Sequence, residues 1–187
     1  MGMAGVLDSG RYKYFVAQAA GVSVENVEAV VLGGHGDTMV PIRSACRIYG
    51  LPVTKFVSES DLEAIETRTR KAGGEVVGLL GFGSAYVSPA WAALEMAEAI
   101  IFDKRKIIPV CAKLEGEYGV DGMFVGVPGI IGKNGVEKVI EVELDGEILT
   151  PRRELASAPY AFHARSADYL DELPGDSYAT YDELGTG

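Results

Sequence analysis

Between Val31 and Pro41 the chain reads Val-Leu-Gly-Gly-His-Gly-Asp-Thr-Met-Val-Pro, a β-branched apolar stretch that runs into one histidine among three glycines. Glycine keeps side-chain bulk away from the imidazole and permits backbone angles that other residues resist, so a ligand could approach His35 closely. Histidine is also the side chain whose ordinary pKa lets it take and return a proton near neutrality, which makes His35 a candidate general base. A second segment, Gly2 to Arg11, places Asp8 and Arg11 three residues apart at the mouth of an expected helix, a spacing at which both face one site. A carboxylate bonded to an imidazole fixes its tautomer and stabilises the imidazolium, while a guanidinium grips a carboxylate through two parallel hydrogen bonds. Base, orienter and clamp are all present. Taken singly, His35 also reads as a surface or satisfied core histidine, its glycines as a strand-end turn, Asp8 as a helix N-cap and Arg11 as a solvated charge.

Local elements must position these groups. From Ser9 to about Ala20 the residues Tyr12, Phe15, Val16 and Ala19 recur at helical spacing and Gly21 supplies a stop, which predicts a helix with Arg11 on its first turn. Val27 to Leu32 is a predicted strand leading into His35, and Ile42 to Tyr49 a mixed extended or short helical segment. Ser60-Asp61-Leu62-Glu63 reads as a capping box that opens a helix towards Leu80, with Gly73-Gly74 as a kink or break. Ser88-Pro89 opens a further helix through Trp91, Leu94, Ala97 and Ile101, and Ser84 falls on the connection before it. Ile107 to Leu114, Met123 to Val127 and Val136 to Leu144 alternate as strands and are expected to pair antiparallel. Helices packed on such a sheet define an α+β fold class. Met39, Met96 and Met123 are core fillers rather than a cofactor grouping.

Composition supports one folded domain and narrows its partners. The 187 residues are 48% hydrophobic and carry a formal charge of −10, which argues against nucleic acid and anionic membrane as partners. The basic cluster Lys104-Arg105-Lys106 follows a predicted helix and complements its C-terminal dipole. Cys46 and Cys111 lie far apart without metal-ligand spacing, which suits a reducing compartment, and neither a signal peptide nor a membrane span is evident. The expected location is cytoplasmic, with no metal.

Six stretches together resemble the lactate/malate dehydrogenase family, its malate branch in particular. They are Gly2 to Arg11, Val31 to Pro41, Gly83-Ser84-Ala85, Leu114 to Gly119, Phe124 to Pro128 and Gly132 to Lys138, in the family's order across about three quarters of the chain. The resemblance implies that residues 1–144 form the C-terminal, substrate-binding and catalytic domain, with the family's helices packed on an antiparallel sheet. It implies that His35 is the proton acceptor, Asp8 its partner, Arg11 the residue that binds the substrate carboxylate, and Ser84 part of the pocket wall. Gly10 stands where the family usually has alanine, which removes no functional group. The implied reaction is NAD-dependent oxidation of malate, a small 2-hydroxy dicarboxylic acid, to its 2-oxo acid, in an enzyme that is a homo-oligomer when complete.

Family members open with a nucleotide-binding half that carries G-x-G-x-x-G after its first strand. The nearest approach here, Gly81-Phe82-Gly83-Ser84-Ala85-Tyr86, lacks the last glycine and lies between two predicted helices. The N-terminal NAD-binding domain, with the mobile loop and further arginines that help choose between malate and lactate, is therefore expected to be absent. On that reading the isolated chain is inactive without a companion domain.

After about Glu143 the resemblance stops. Val142 to Leu149 is a hairpin signal built on Asp145-Gly146, and Leu149 to Ala161 resembles a short segment of bacterial secreted and cell-surface proteins. Residues 145–187 are expected to form an unrelated tail with a short helix from Pro159 to Leu170, a solvated His163 and a disordered end from Gly175. The alternative function is thus a non-catalytic binding or assembly module of a fusion protein, its role set by that tail.

Overall fold

The computed structural model describes residues 1–144 and 147–148. In chain order a two-residue strand β1 (Gly2–Met3) is followed by helix α1 (Gly5–Ala20), then β2 (Val27–Glu28), β3 (Val31–Gly33), β4 (Met39–Pro41), β5 (Arg47–Ile48) and β6 (Leu51–Pro52). Two long helices come next, α2 (Glu59–Leu80) and α3 (Val87–Ile101). The main strands are β7 (Lys106–Glu115), β8 (Asp121–Gly132) and β9 (Gly135–Val139), and a small pair, β10 (Glu143–Leu144) and β11 (Glu147–Ile148), closes the described chain. The expected α+β architecture is what forms.

The principal sheet runs β1-β7-β8-β9, antiparallel throughout. Along β7 the residues Ile108, Val110, Ala112 and Leu114 are buried in strict alternation, the period-2 pattern of a strand with one face on a core. That face packs with Ala92, Met96 and Ala99 of α3 and with Val6 and Leu7 of α1. A second core gathers Tyr12, Phe15 and Val16 of α1 with Leu62, Ile65 and Ala72 of α2 and Val31, Met39 and Ile48 of the short strands. Helix α1 thus feeds both cores, its first turn one and its later turns the other.

Several local expectations are corrected. Helix α1 starts at Gly5, not Ser9, and its N-cap, Ala4, offers no side-chain bond. Packing supplies the start instead: a β-carbon on Gly5 would overlap the Val31 carbonyl and the Pro109 side chain, so the glycine lets the helix seat directly on β3 and β7. Arg11 consequently stands on the second turn. The strand expected over residues 27–32 is broken at Ala29-Val30, because β2 pairs with β5 whereas β3 pairs with β4. The cap of α2 is Ser58 rather than Ser60: its Oγ accepts the Asp61 N–H at 3.2 Å and donates to Asp61 Oδ2 at 2.7 Å. Gly73-Gly74 does not break α2, which runs unbroken to Leu80. Pro89 is the third residue of α3, still within the turn whose amides have no helical acceptor.

Strands β10 and β11 pair antiparallel on either side of residues 145 and 146, in line with the hairpin signal. The other features expected of residues 149–187, including the short helix and His163, lie outside the described residues. Among the described residues no helix is long and apolar enough to cross a membrane, and no cluster of acidic, histidine and cysteine side chains is arranged to hold a metal ion.

Candidate functional site

His35 sits at the tip of the hairpin formed by β3 and β4. Gly33 has φ 81°, a left-handed angle that favours glycine, and a β-carbon on Gly34 would overlap the Thr38 side chain. The glycines beside His35 are therefore demanded by the turn itself. Met39 N–H donates to the Gly36 carbonyl at 3.0 Å and closes the turn.

Asp8, on the first turn of α1, is wholly buried, and the hairpin brings His35 onto it. The His35 Nδ1 lies 2.7 Å from Asp8 Oδ2. An ionised carboxylate can only accept, so in a neutral imidazole this contact puts the proton on Nδ1 and leaves the lone pair on Nε2. Arg11, one turn further along α1, donates from Nη1 to Asp8 Oδ1 at 3.4 Å. Side-chain exposure rises outward across the group, from 1% for Asp8 through 13% for Arg11 to 33% for His35. The buried carboxylate thus organises two partly open groups: an imidazole with a free acceptor nitrogen, and a guanidinium with donors to spare. A proton acceptor beside a two-pronged anion clamp is equipped to bind a carboxylate and deprotonate a hydroxyl next to it.

The three residues that sequence reasoning singled out as a chemical unit are assembled. Ser84, the fourth, lies on the exposed connection between α2 and α3, and among the described residues no hydrogen bond joins it to the other three. Arg11 also lines an open, largely apolar groove of about 610 Å³ between α1, α2 and α3, with Phe15, Arg68, Ala72, Trp91 and Leu94. Neither His35 nor Ser84 is on its wall, so this groove is distinct from the hairpin tip that carries the imidazole.

Other residues at the site escaped the sequence reading. Gly73 of α2 lies beside the Arg11 guanidinium, where a β-carbon would stand in ordinary contact 3.7 Å from Nη1. Ser9, Gly5 and Gly126 hold the hairpin that carries His35. A glycine flanked by β-branched residues inside a strand, as Gly126 is by Val125 and Val127, marks a close backbone approach and was the available signal. Each strand pairing in the sheets is antiparallel, and Gly81 to Tyr86 joins two helices. The described residues therefore contain no parallel strand turning into a helix, the cradle that a dinucleotide diphosphate uses.

The fold is thus a helix-on-antiparallel-sheet domain that presents a carboxylate-anchored imidazole and a neighbouring guanidinium. The chain belongs to the lactate/malate dehydrogenase family: residues 5–151 match the family's alpha/beta C-terminal domain. It is 54% identical over 147 residues to malate dehydrogenase 1 of Anaeromyxobacter dehalogenans, an alignment that covers 79% of this chain and 47% of that protein. Among solved structures it is similar to malate dehydrogenase from Salinibacter ruber, with 46% identity and a TM-score of 0.76 over 92% of this chain and 55% of that one. It is also similar to the lactate dehydrogenase of Cryptosporidium parvum in complex with lactic acid and nicotinamide adenine dinucleotide, with 41% identity and a TM-score of 0.74 over 92% and 55%. The chain spans about half the length of the relatives it matches.

Proposed function

We propose that this chain is the substrate-binding and catalytic half of an NAD-dependent malate dehydrogenase, and that it turns over only with a companion nucleotide-binding domain. The observation that carries the reading is the 2.7 Å contact between His35 Nδ1 and Asp8, with Arg11 on the same carboxylate. The names of its relatives support malate as the substrate, and the lactic acid and dinucleotide bound to the Cryptosporidium parvum enzyme support a 2-hydroxy acid and NAD as the reacting pair.

Oxidation of a 2-hydroxy acid removes a proton from the hydroxyl and a hydride from the carbon that bears it. The chain's residues serve the proton. Arg11 holds the carboxylate next to the reacting carbon through its unused N–H donors, which directs the hydroxyl towards the imidazole. The Nε2 atom of His35 accepts the hydroxyl proton, and the resulting imidazolium is stabilised by the buried Asp8 carboxylate, which stays ionised. The hydride acceptor, NAD, does not fit the described residues, which lack a diphosphate cradle, and it belongs to the companion domain.

Two measurements test this. The isolated chain should show no saturable NADH binding at micromolar concentration by fluorescence titration. Joined to the nucleotide-binding half of the Anaeromyxobacter dehalogenans relative, it should reduce NAD in a malate-dependent manner. In that joined enzyme His35→Asn should lower kcat by about 10²–10⁴ without unfolding the protein, since an amide cannot carry the proton. Arg11→Lys should act mainly on KM, because an ammonium cannot reproduce the forked contact. Near-normal turnover of the His35 variant would overturn the assignment.

A further inference from the structure

Asp8 and His35 are 27 residues apart, and neither hairpin nor helix alone specifies their 2.7 Å contact. The hairpin is held from two directions. In its ladder the Ile42 N–H donates to the Val30 carbonyl at 2.9 Å, and bonding alternates along an antiparallel pair. The facing pairs Val31/Pro41 and Gly33/Met39 are therefore non-bonded, and their peptide groups on β3 turn away from β4. That is why Pro41, which has no N–H, is tolerated opposite Val31.

The outward groups of β3 meet specific residues. The buried Val31 N–H donates to Ser9 Oγ at 2.9 Å, and Ser9 is the helical neighbour of Asp8. Two residues nearer the turn, the Gly33 carbonyl occupies the position that a β-carbon on Gly126 of β8 would take. Gly126 does not have a positive φ, so its glycine is required by this close approach and not by its own backbone angle. One partner ties the root of the hairpin to the helix that carries Asp8, and the other sets how deeply the hairpin settles on the sheet.

We propose that Ser9 and Gly126 are positioning residues for His35, which together place its Nδ1 on Asp8 and so keep Nε2 free as the acceptor. Ser9→Ala leaves the Val31 amide buried without an acceptor, and Gly126→Ala drives a methyl group into the Gly33 peptide. Either change moves the imidazole off the carboxylate without altering Asp8 or His35. The inference deepens the dehydrogenase reading and rests on it for its functional meaning.

The test reads the imidazole directly. The chain has two histidines, so with His163→Gln as background the side-chain ¹⁵N spectrum reports His35 alone. It is recorded on the full chain at a pH at which the ring is neutral, without NAD or malate. The parent should show one protonated-type nitrogen, Nδ1, and one unprotonated-type nitrogen, Nε2. In Ser9→Ala and Gly126→Ala the two shifts should move towards each other as the ring exchanges tautomers. Ser9→Thr, which keeps the hydroxyl, should retain the parent spectrum, as should Met96→Ala, a core truncation on α3. Unchanged His35 shifts in folded Ser9→Ala and Gly126→Ala, or an equal change in Met96→Ala, would overturn the proposal. If Ser9→Ala does not fold, Ser9→Cys carries the same test with a weaker acceptor, and if Gly126→Ala does not fold the Ser9 comparison decides. Because no substrate is present, failure here is separate from failure of the dehydrogenase reading, which the turnover of the joined enzyme decides.

Discussion

Asp8 is fully removed from solvent yet gives each oxygen a partner, His35 on one and Arg11 on the other. A buried carboxylate survives ionised only when paired in this way. Asp8→Asn keeps the size but turns an N–H donor towards one of two donors. The substitution should lower kcat of the joined enzyme by about 10²–10⁴ and destabilise the isolated chain by about 1–3 kcal/mol in urea unfolding. A variant as stable and as active as the parent would remove Asp8 from the mechanism. A second buried group sets the alkaline limit. Burial pushes the Cys46 thiol up to about 11, and burial likewise raises the adjacent Tyr12 hydroxyl, with the charges of Cys46 and Glu66 adding to it. An unfolded-state thiol ionises near pH 8.5–9, so the unfolded chain loses a proton that the folded chain retains, and this contribution is complete below about pH 9 and lost as pH rises towards 11. Stability should fall by about 2–3 kcal/mol from this group over that interval, and urea midpoints of Cys46→Ala should decline less steeply than the parent's.

Among the elements, the connection from β7 to β8 and the chain leaving β9 are locked by one side chain. Tyr118 adopts φ 55°, an uncommon angle for a non-glycine residue. Its hydroxyl donates to the Ile140 carbonyl at 2.8 Å and accepts the Val142 N–H at 3.1 Å, while its own N–H donates to Glu141 Oε1. Tyr118→Phe keeps the packing and deletes both hydroxyl bonds, so it should destabilise by about 1–3 kcal/mol and speed amide exchange at Val142. Helix α2 is fixed in a comparable way. Arg43 donates to both Glu59 and Glu66, Arg70 Nε donates to the Met39 carbonyl at 3.3 Å beside the hairpin, and the Arg68 guanidinium lies 4.1 Å above the Phe15 ring of α1. Such ties anchor α2 on the N-terminal side of Gly73-Gly74, where its buried residues Leu62, Ile65, Thr69 and Ala72 also lie, and help offset the poor helical propensity of glycine.

At the scale of the whole molecule, two cores share α1, and among the described residues the exposed surface is strongly apolar along α3 and its flanks. Trp91, Ile101, Phe102 and Ile107 are 69%, 73%, 67% and 60% exposed. A folded domain rarely leaves so many large apolar side chains in water on neighbouring elements. The isolated chain should therefore self-associate, with a sedimentation coefficient that rises with concentration. Trp91→Lys, at an exposed position, should reduce that association without lowering stability. A strictly monomeric parent at high concentration would show that this surface is tolerated in water.

The sequence alone determined the chemistry on offer and the type of each main element. Asp8 and Arg11 share a helical face because three-residue spacing is a property of the helix itself, and the alternation along residues 107–114 is a property of the strand. The glycines around His35 were equally legible, since a turn's backbone angles are a local demand. Contacts between distant segments were not. The start of α1 at Gly5 came from its seat on Val31 and Pro109, against an absent cap; Gly73 proved to lie beside a guanidinium, and Gly126 to be the bed of a hairpin. Only the folded chain decided that Asp8 and His35 would meet across 27 residues and that Ser9 would accept the Val31 amide. Propensity and periodicity reach about one helical turn along the chain, whereas the placement of a side chain against a distant one depends on the shape of both cores at once.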